Sequence, residues 1–197
     1  RGFSFRPDAP LDMRMGGTTG GGRPAAELLN HASEAELGRA FREYGEERRW
    51  KALAREIVRR RRDRPFRRSD DLVAAIRTVL GSRITVQDKA RLFQALRIWV
   101  NDELGALSEG LEGVRDRLAP GGRLVAISYH SLEDRIVKRA FREWSLACVC
   151  PPGLPVCRCR GEPLGETLTK RPVHAGEAEV RRNPRARSAR LRVWRRW

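Results

Sequence analysis

Apolar side chains recur every three or four residues through the first half of the chain and change period in the second. Leu37, Ala40, Phe41 and Tyr44 share one helical face, and Ser33 followed by Glu36 has the spacing of a reciprocal helix cap. Trp50, Leu53, Ala54 and Ile57 mark a second amphipathic helix. Ser69-Asp70-Asp71 predicts the cap of a third, with Leu72, Ile76, Val79 and Leu80 inward and Gly81 as its stop. Residues 24–84 therefore read as a small all-helical domain with a basic outer rim, Arg59 to Arg62. A long helix is expected from about Thr85 to Leu107, then a shorter one through Leu111, Val114 and Leu118.

Within 85–197 the pattern turns to strand. Ala119-Pro120-Gly121-Gly122 breaks the helix, and Leu124-Val125-Ala126-Ile127 has the continuous apolar character of a parallel strand buried on both faces. Ser131 opens a further helix through Leu132, Ile136, Ala140 and Trp144, so helix, turn, strand and helix make one α/β layer. Near the end, Ala189, Leu191 and Val193 alternate with Arg190, Arg192 and Trp194, which predicts a strand with one apolar and one basic face. Thr167-Leu168-Thr169 is its candidate partner in an antiparallel hairpin at the edge of a mostly parallel sheet. Residues 1–23 have no periodicity and read as loop. The glycines between Gly16 and Gly22 follow no strand, so they read as linker and not as a phosphate cradle.

The 197 residues suffice for one full domain or a domain with a small companion. The formal charge of +16 is concentrated: residues 55–68 hold eight Arg against Glu56 and Asp63, and residues 170–197 hold ten Lys or Arg against Glu177 and Glu179. Clustered cations face a polyanion, most commonly nucleic acid; a solvated surface in an Arg-biased proteome is the alternative. No run of 18 apolar residues and no charged-then-apolar leader occurs, so no membrane span or secretion signal is expected and the cytoplasm is the default. Arg1 opens directly into an aromatic stretch with no element before it, which reads as a chain cut from something longer.

Cys148, Cys150, Cys157 and Cys159 put four sulfurs into twelve residues. In a cytoplasmic protein this favours a structural zinc over disulfides. Cys-x-Cys is not the usual zinc spacing, because alternate residues of an extended chain need a tight turn to converge, so thiols and facultative disulfides stay open.

Four stretches go beyond pattern. They are Arg1-Gly2-Phe3-Ser4-Phe5-Arg6 with Pro10-Leu11-Asp12-Met13-Arg14-Met15; Phe93-Gln94-Ala95-Leu96-Arg97-Ile98 with Val100-Asn101-Asp102-Glu103-Leu104; Ser128-Tyr129-His130-Ser131-Leu132-Glu133-Asp134-Arg135-Ile136-Val137-Lys138; and Asn183 through Arg192. In this order and spacing the chain closely resembles the bacterial RsmH (MraW) family of ribosomal RNA small-subunit cytosine-N4 methyltransferases. The resemblance implies a class I S-adenosylmethionine-dependent methyltransferase, an α/β Rossmann-like sheet with its N-terminal strands missing and a helical domain inserted. It implies 16S rRNA in the small ribosomal subunit as partner and a decoding-region cytidine as substrate, with a homodimer left open. The family holds S-adenosyl-L-methionine through a glycine-rich loop, an acidic residue and an Asp-Leu-Gly segment that belong upstream of Arg1. No residue here inherits a cofactor contact, and residues 1–197 alone are expected neither to bind the cofactor nor to fold stably. Two positions depart from the family: Asp88-Lys89-Ala90-Arg91-Leu92 stands where a His-Pro-Ala-Thr-type segment is common, and Tyr129 where Phe is common.

Cytosine N4 is a poor nucleophile because its lone pair is delocalised into the ring, so an enzyme must orient the amine and accept its proton. His130, Glu133 and Asp134 follow the carboxyl end of the expected strand, where open α/β sheets place ligands, and are the candidates for the target base. Their structural alternative is a helix start, with Ser131 as N-cap and acidic residues complementing the helix dipole. Arg97 and Asn101 share a helical face and are candidate substrate contacts, or members of a structural hydrogen-bond network. Arg185, Arg187, Arg190 and Arg192 are the phosphate candidates, against an edge strand that uses charge to block aggregation. Phe3 and Phe5 are cleft-wall or core aromatics. The rival to an enzyme is a non-catalytic RNA-binding module.

Overall fold

The structure is a computed structural model and describes residues 3–17, 21–151, 156 and 158–197. It divides into two compact units, Arg1–Glu103 and Leu104–Trp197.

The first unit holds five helices: α1 (Ala25–His31), α2 (Glu34–Glu43), α3 (Trp50–Asp63), α4 (Ser69–Leu80) and α5 (Val86–Asn101). Helix α2 begins as its sequence predicts, with Ser33 and Glu36 each accepting from the other's backbone N–H. Thr85 and Asp88 start α5 in the same way. Helix α4 departs from expectation. Ser69 is its first helical residue, fully buried, and its hydroxyl donates to the Arg6 carbonyl at 2.6 Å. The orphan amides of Arg67 and Arg68 are met instead by Asp71 Oδ2, at 2.9 and 2.8 Å.

Two further expectations change here. Residues 6–15 are loop but are anchored to this unit: Leu11 and Met13 are 2% and 1% exposed, and the Leu11 and Asp12 carbonyls accept from the first amides of α1. Thr18–Gly20 of the glycine run lie outside the described residues. The helix expected to reach Leu107 ends at Asn101, because Asp102 turns left-handed at φ 46° and ψ 44°, a conformation Asp tolerates better than most residues. Helix α5 packs on α1 and α2, so this unit extends to Glu103 and takes in a helix that the sequence assigns to the second part. Phe41, Leu53, Ile57, Leu72, Ile76 and Leu96 lie at its centre with no exposed surface, each worth about 1.5–3 kcal/mol of burial.

The second unit contains α6 (Glu103–Arg117), β1 (Arg123–Ser128), α7 (Ser131–Trp144), β2 (Gly165–Thr167), β3 (Val173–His174), α8 (Glu177–Arg182), a 3-10 turn at Pro184–Ser188 and β4 (Arg190–Arg196). The strand order is β1-β4-β2, with β3 also on β4, and every described pairing is antiparallel. Residues 124–127, expected as a parallel strand, pair antiparallel with β4 here, and β4 lies between β1 and β2 in the described sheet.

Leu124 and Ala126 face Leu111, Val137, Phe141 and Trp144. Val125 and Ile127 face the other way, 53% and 55% exposed. Their partners across the ladder, Val193 and Leu191, share that open face. The face of β4 expected to be basic and outward is the covered one. Trp194 has no exposed surface, and its ring lies 5.2 Å from that of Trp144. Gly165 is glycine because a Cβ there would meet the Trp194 ring at 2.4 Å.

Candidate functional site

After β1 the chain passes through Tyr129 and His130 into α7. His130, not Ser131, is the N-cap, and its Nδ1 faces the Glu133 amide at a long 3.4 Å. Glu133 reaches back, with Oε2 accepting from the Tyr129 amide at 2.8 Å and the His130 amide at 3.3 Å. His130 Nε2 also stands 3.0 Å from Glu133 Oε1, but without the alignment of a hydrogen bond. Burial pushes the Glu133 carboxyl up, but His130 and the Tyr129 amide outweigh it and hold the group below the ordinary carboxylate value. Glu133 is therefore anionic at neutral pH. The Tyr129 ring is 56% exposed beside this pair. Nothing in the chain's periodicity marks that ring as a site residue; the only signal is its place immediately before His130.

Asp134 belongs to a different constellation. Its carboxylate takes a fork from Arg192, Nε to Oδ1 at 2.7 Å and Nη2 to Oδ2 at 3.1 Å, and Arg190 approaches Oδ2 at 3.4 Å. The Arg192 hydrogen bonds pull the Asp134 carboxyl below its ordinary value against the effect of burial. Arg192 is 5% exposed, which corrects its assignment as a surface phosphate contact: its charge is spent inside the unit on Asp134. Arg190 keeps 39% of its side chain open. Arg185 and Arg187 are exposed on the 3-10 turn, which Asn183 caps by accepting from the Arg185 amide at 3.2 Å.

In the helical unit, Arg97 grips Glu103 with a two-point bond at 2.7 and 2.9 Å. Asn101 donates to the Met13 and Arg97 carbonyls at 2.6 and 2.7 Å and accepts from the Met15 amide at 2.8 Å, which fastens the loop of residues 13–15 to α5. Phe5 stacks edge-on against Phe93 at 5.8 Å. The basic rim is partly internal. Arg59 and Arg60 both bind Glu56 and hold its pKa down to about 2, while Arg61 caps α1 through the Leu29 and Ala32 carbonyls at 3.1 and 2.7 Å. The Sγ atoms of Cys148, Cys150 and Cys159 all lie within 4.8 Å of one another, and Cys157 is outside the described residues.

A groove of about 420 Å³ runs between α6 and β1, lined by Leu107, Leu111, Val114, Ile127 and Glu133 among others. Its walls are mainly aliphatic, and Glu133 is their one charged side chain. Such a lining does not match the charged ammonium and carboxylate ends of S-adenosylmethionine.

A model of the MraW methylase family matches residues 1–197. The chain is 60% identical to the ribosomal RNA small subunit methyltransferase H of Gemmatimonas aurantiaca, over 99% of this chain and 61% of that protein. It is 53% identical to the protein of the same name from Symbiobacterium thermophilum, over 98% and 61%. With that of Heliobacterium modesticaldum it shares 50%, over 98% and 62%. The chain thus spans about 60% of the length of these curated relatives. A match along its whole length, with the His130–Glu133 helix start inside it, establishes that the chain belongs to the MraW methylase family.

Proposed function

We propose that the protein to which this chain contributes methylates small-subunit ribosomal RNA, transferring a methyl group from S-adenosylmethionine to N4 of a decoding-region cytidine of 16S rRNA in the cytoplasm. The observation that carries the reading is the full-length family match, together with relatives named as ribosomal RNA small subunit methyltransferases. The open sheet face at Val125 and Ile127 supports it: the relatives' additional length supplies the remaining strands of a Rossmann-like sheet and the layer that covers this face. The cofactor contacts lie in that additional part, and residues 1–197 alone are inactive.

In this reading His130 and Glu133 sit where the target base arrives. The exposed Tyr129 ring offers a stacking surface for an unstacked cytosine, and the Glu133 carboxylate beside His130 orients the amine and draws off its proton. Asp134 is a positioning residue that holds β4 to α7 through Arg192. Arg185 and Arg187 contact phosphate.

The test uses full-length protein, labelled S-adenosylmethionine and 30S particles from cells lacking the activity, with nucleoside mass spectrometry as readout. Appearance of N4-methylcytidine at one position is expected. Glu133→Gln should lower kcat at least about tenfold with little change in RNA affinity. Arg187→Ala should instead weaken RNA binding and reduce its salt dependence. Absence of methyl transfer by full-length protein, with RNA binding intact, would leave an RNA-binding module in place of an enzyme.

A further inference from the structure

After α7 the described residues have little apolar anchorage: Val149 and Val156 are 37% and 67% exposed. Two devices nevertheless hold the loop. Arg160 donates to the Glu143 and Leu146 carbonyls at 2.6 and 3.0 Å, capping the open end of α7. The second is a cluster of sulfurs.

Cys148, Cys150 and Cys159 converge to within 4.8 Å, Sγ to Sγ. A tetrahedral zinc with Zn–S bonds near 2.3 Å needs sulfurs roughly 3.8 Å apart, so a side-chain adjustment of about 1 Å suffices. The backbone has already taken the conformation that such a site requires. The Val149 amide, between Cys148 and Cys150, points at Cys159 Sγ, and the Arg158 amide, next to Cys159, points at Cys150 Sγ, both at 3.4 Å. Each arm thus donates an N–H to a sulfur of the other. The two arms lie side by side in antiparallel register, and the three sulfurs meet between them.

We propose that Cys148, Cys150 and Cys159 bind a structural Zn²⁺ that clips this loop against the end of α7. Binding releases three thiol protons and forms three Zn–S bonds. A fourth position remains for water or a further thiolate. The clip lies at the far end of α7 from His130, roughly 20 Å away at 1.5 Å per residue, so its role is structural and not catalytic. By fixing residues 148–160 it holds β2 in register on β4, with Gly165 against Trp194.

The test is metal analysis of full-length protein purified anaerobically without chelators, a readout independent of methyl transfer. About one zinc per chain is expected, exchangeable for Co²⁺ with thiolate-to-cobalt absorption in the near ultraviolet. Cys150→Ser should lower zinc at least about tenfold. Because that variant also bears on folding, the unaltered protein is titrated in parallel with a mercurial thiol reagent, and zinc should leave as the first three or four thiols react. Removing zinc should speed protease cleavage within 148–160 about tenfold, with the helical unit unaffected. The proposal is overturned by unaltered protein that takes up no zinc after reconstitution with one equivalent. It is equally overturned by Cys150→Ser that retains stoichiometric zinc, or by thiols that react at one rate with and without the metal.

Discussion

Nineteen buried residues cluster around Phe41 and Leu72 among the described residues of the helical unit, whereas the comparable cluster in the sheet unit has five, around Trp194. Among its described residues, the helical unit leaves no strip of aliphatic side chains bare at mid-element. The sheet unit exposes Val125 and Ile127 in the middle of β1. The contrast follows from geometry. A helix concentrates its apolar residues on one stripe, which a few neighbouring helices can cover, but a sheet has two faces and here only one carries a helix layer. The helical unit thus closes its core on itself, while the sheet unit keeps one face open to solvent or to further chain.

Hydrogen exchange on the full-length protein, resolved by peptide, can break or sharpen this comparison. The largest effect is expected from Phe41→Ala, which should cost roughly 3–5 kcal/mol and strip protection from α2 to α5 while β4 keeps its own. Equal loss in both units would mean that the two cores are not separate. Asp134→Ala should act in the opposite sense, since it leaves buried Arg192 without its anion at a cost of about 3–5 kcal/mol, felt in α7 and β4. Adding Arg192→Met to it should recover much of that loss; failure to recover would show that the pair does more than neutralise itself.

Val125→Asp asks whether the open face is covered in the whole protein. If it is, the buried charge should cost about 3 kcal/mol or more, and β1 should lose protection. A change within about 0.5 kcal/mol, as for an ordinary surface substitution, would mean that the face stays exposed. Gly165→Ala comes next, at about 1–3 kcal/mol, because its Cβ has no room beside the Trp194 ring and the Arg195 carbonyl. The smallest effect is electrostatic. Glu56, held down to about 2 by Arg59 and Arg60, contributes stability that is fully present above its ordinary value of 4.5 and lost as pH falls toward 2. Glu56→Gln should flatten that acid slope in the helical unit by less than about 1 kcal/mol, since the pair is near the surface, and leave the sheet unit's slope unchanged.

Much of the helical unit was legible because its determinants are neighbours in sequence. The Ser33–Glu36 cap, the apolar stripe of α3 and the glycine stop at φ 94° after α4 each need only a few consecutive residues. The helix break at Asp102 was not legible, because the hydrophobic period runs on through it and only the backbone turns. At the site, the neighbourhood of His130 and Glu133 could be read from its place after a strand. The assignment of Asp134 could not: its partner Arg192 lies 58 residues further on.

By itself the sequence determined where most of the helices and the longer strands form, that charge is concentrated in arginine, and which family the chain resembles. Only the tertiary structure decided that β1 runs antiparallel to β4, that Arg192 points inward and Val125 outward, and that the sulfurs of three cysteines come together. Periodicity is set by adjacent side chains and survives in the linear record. Strand direction, the choice of buried face and the pairing of buried charges depend on segments tens of residues apart, and the packing that selects among them exists only in the folded chain.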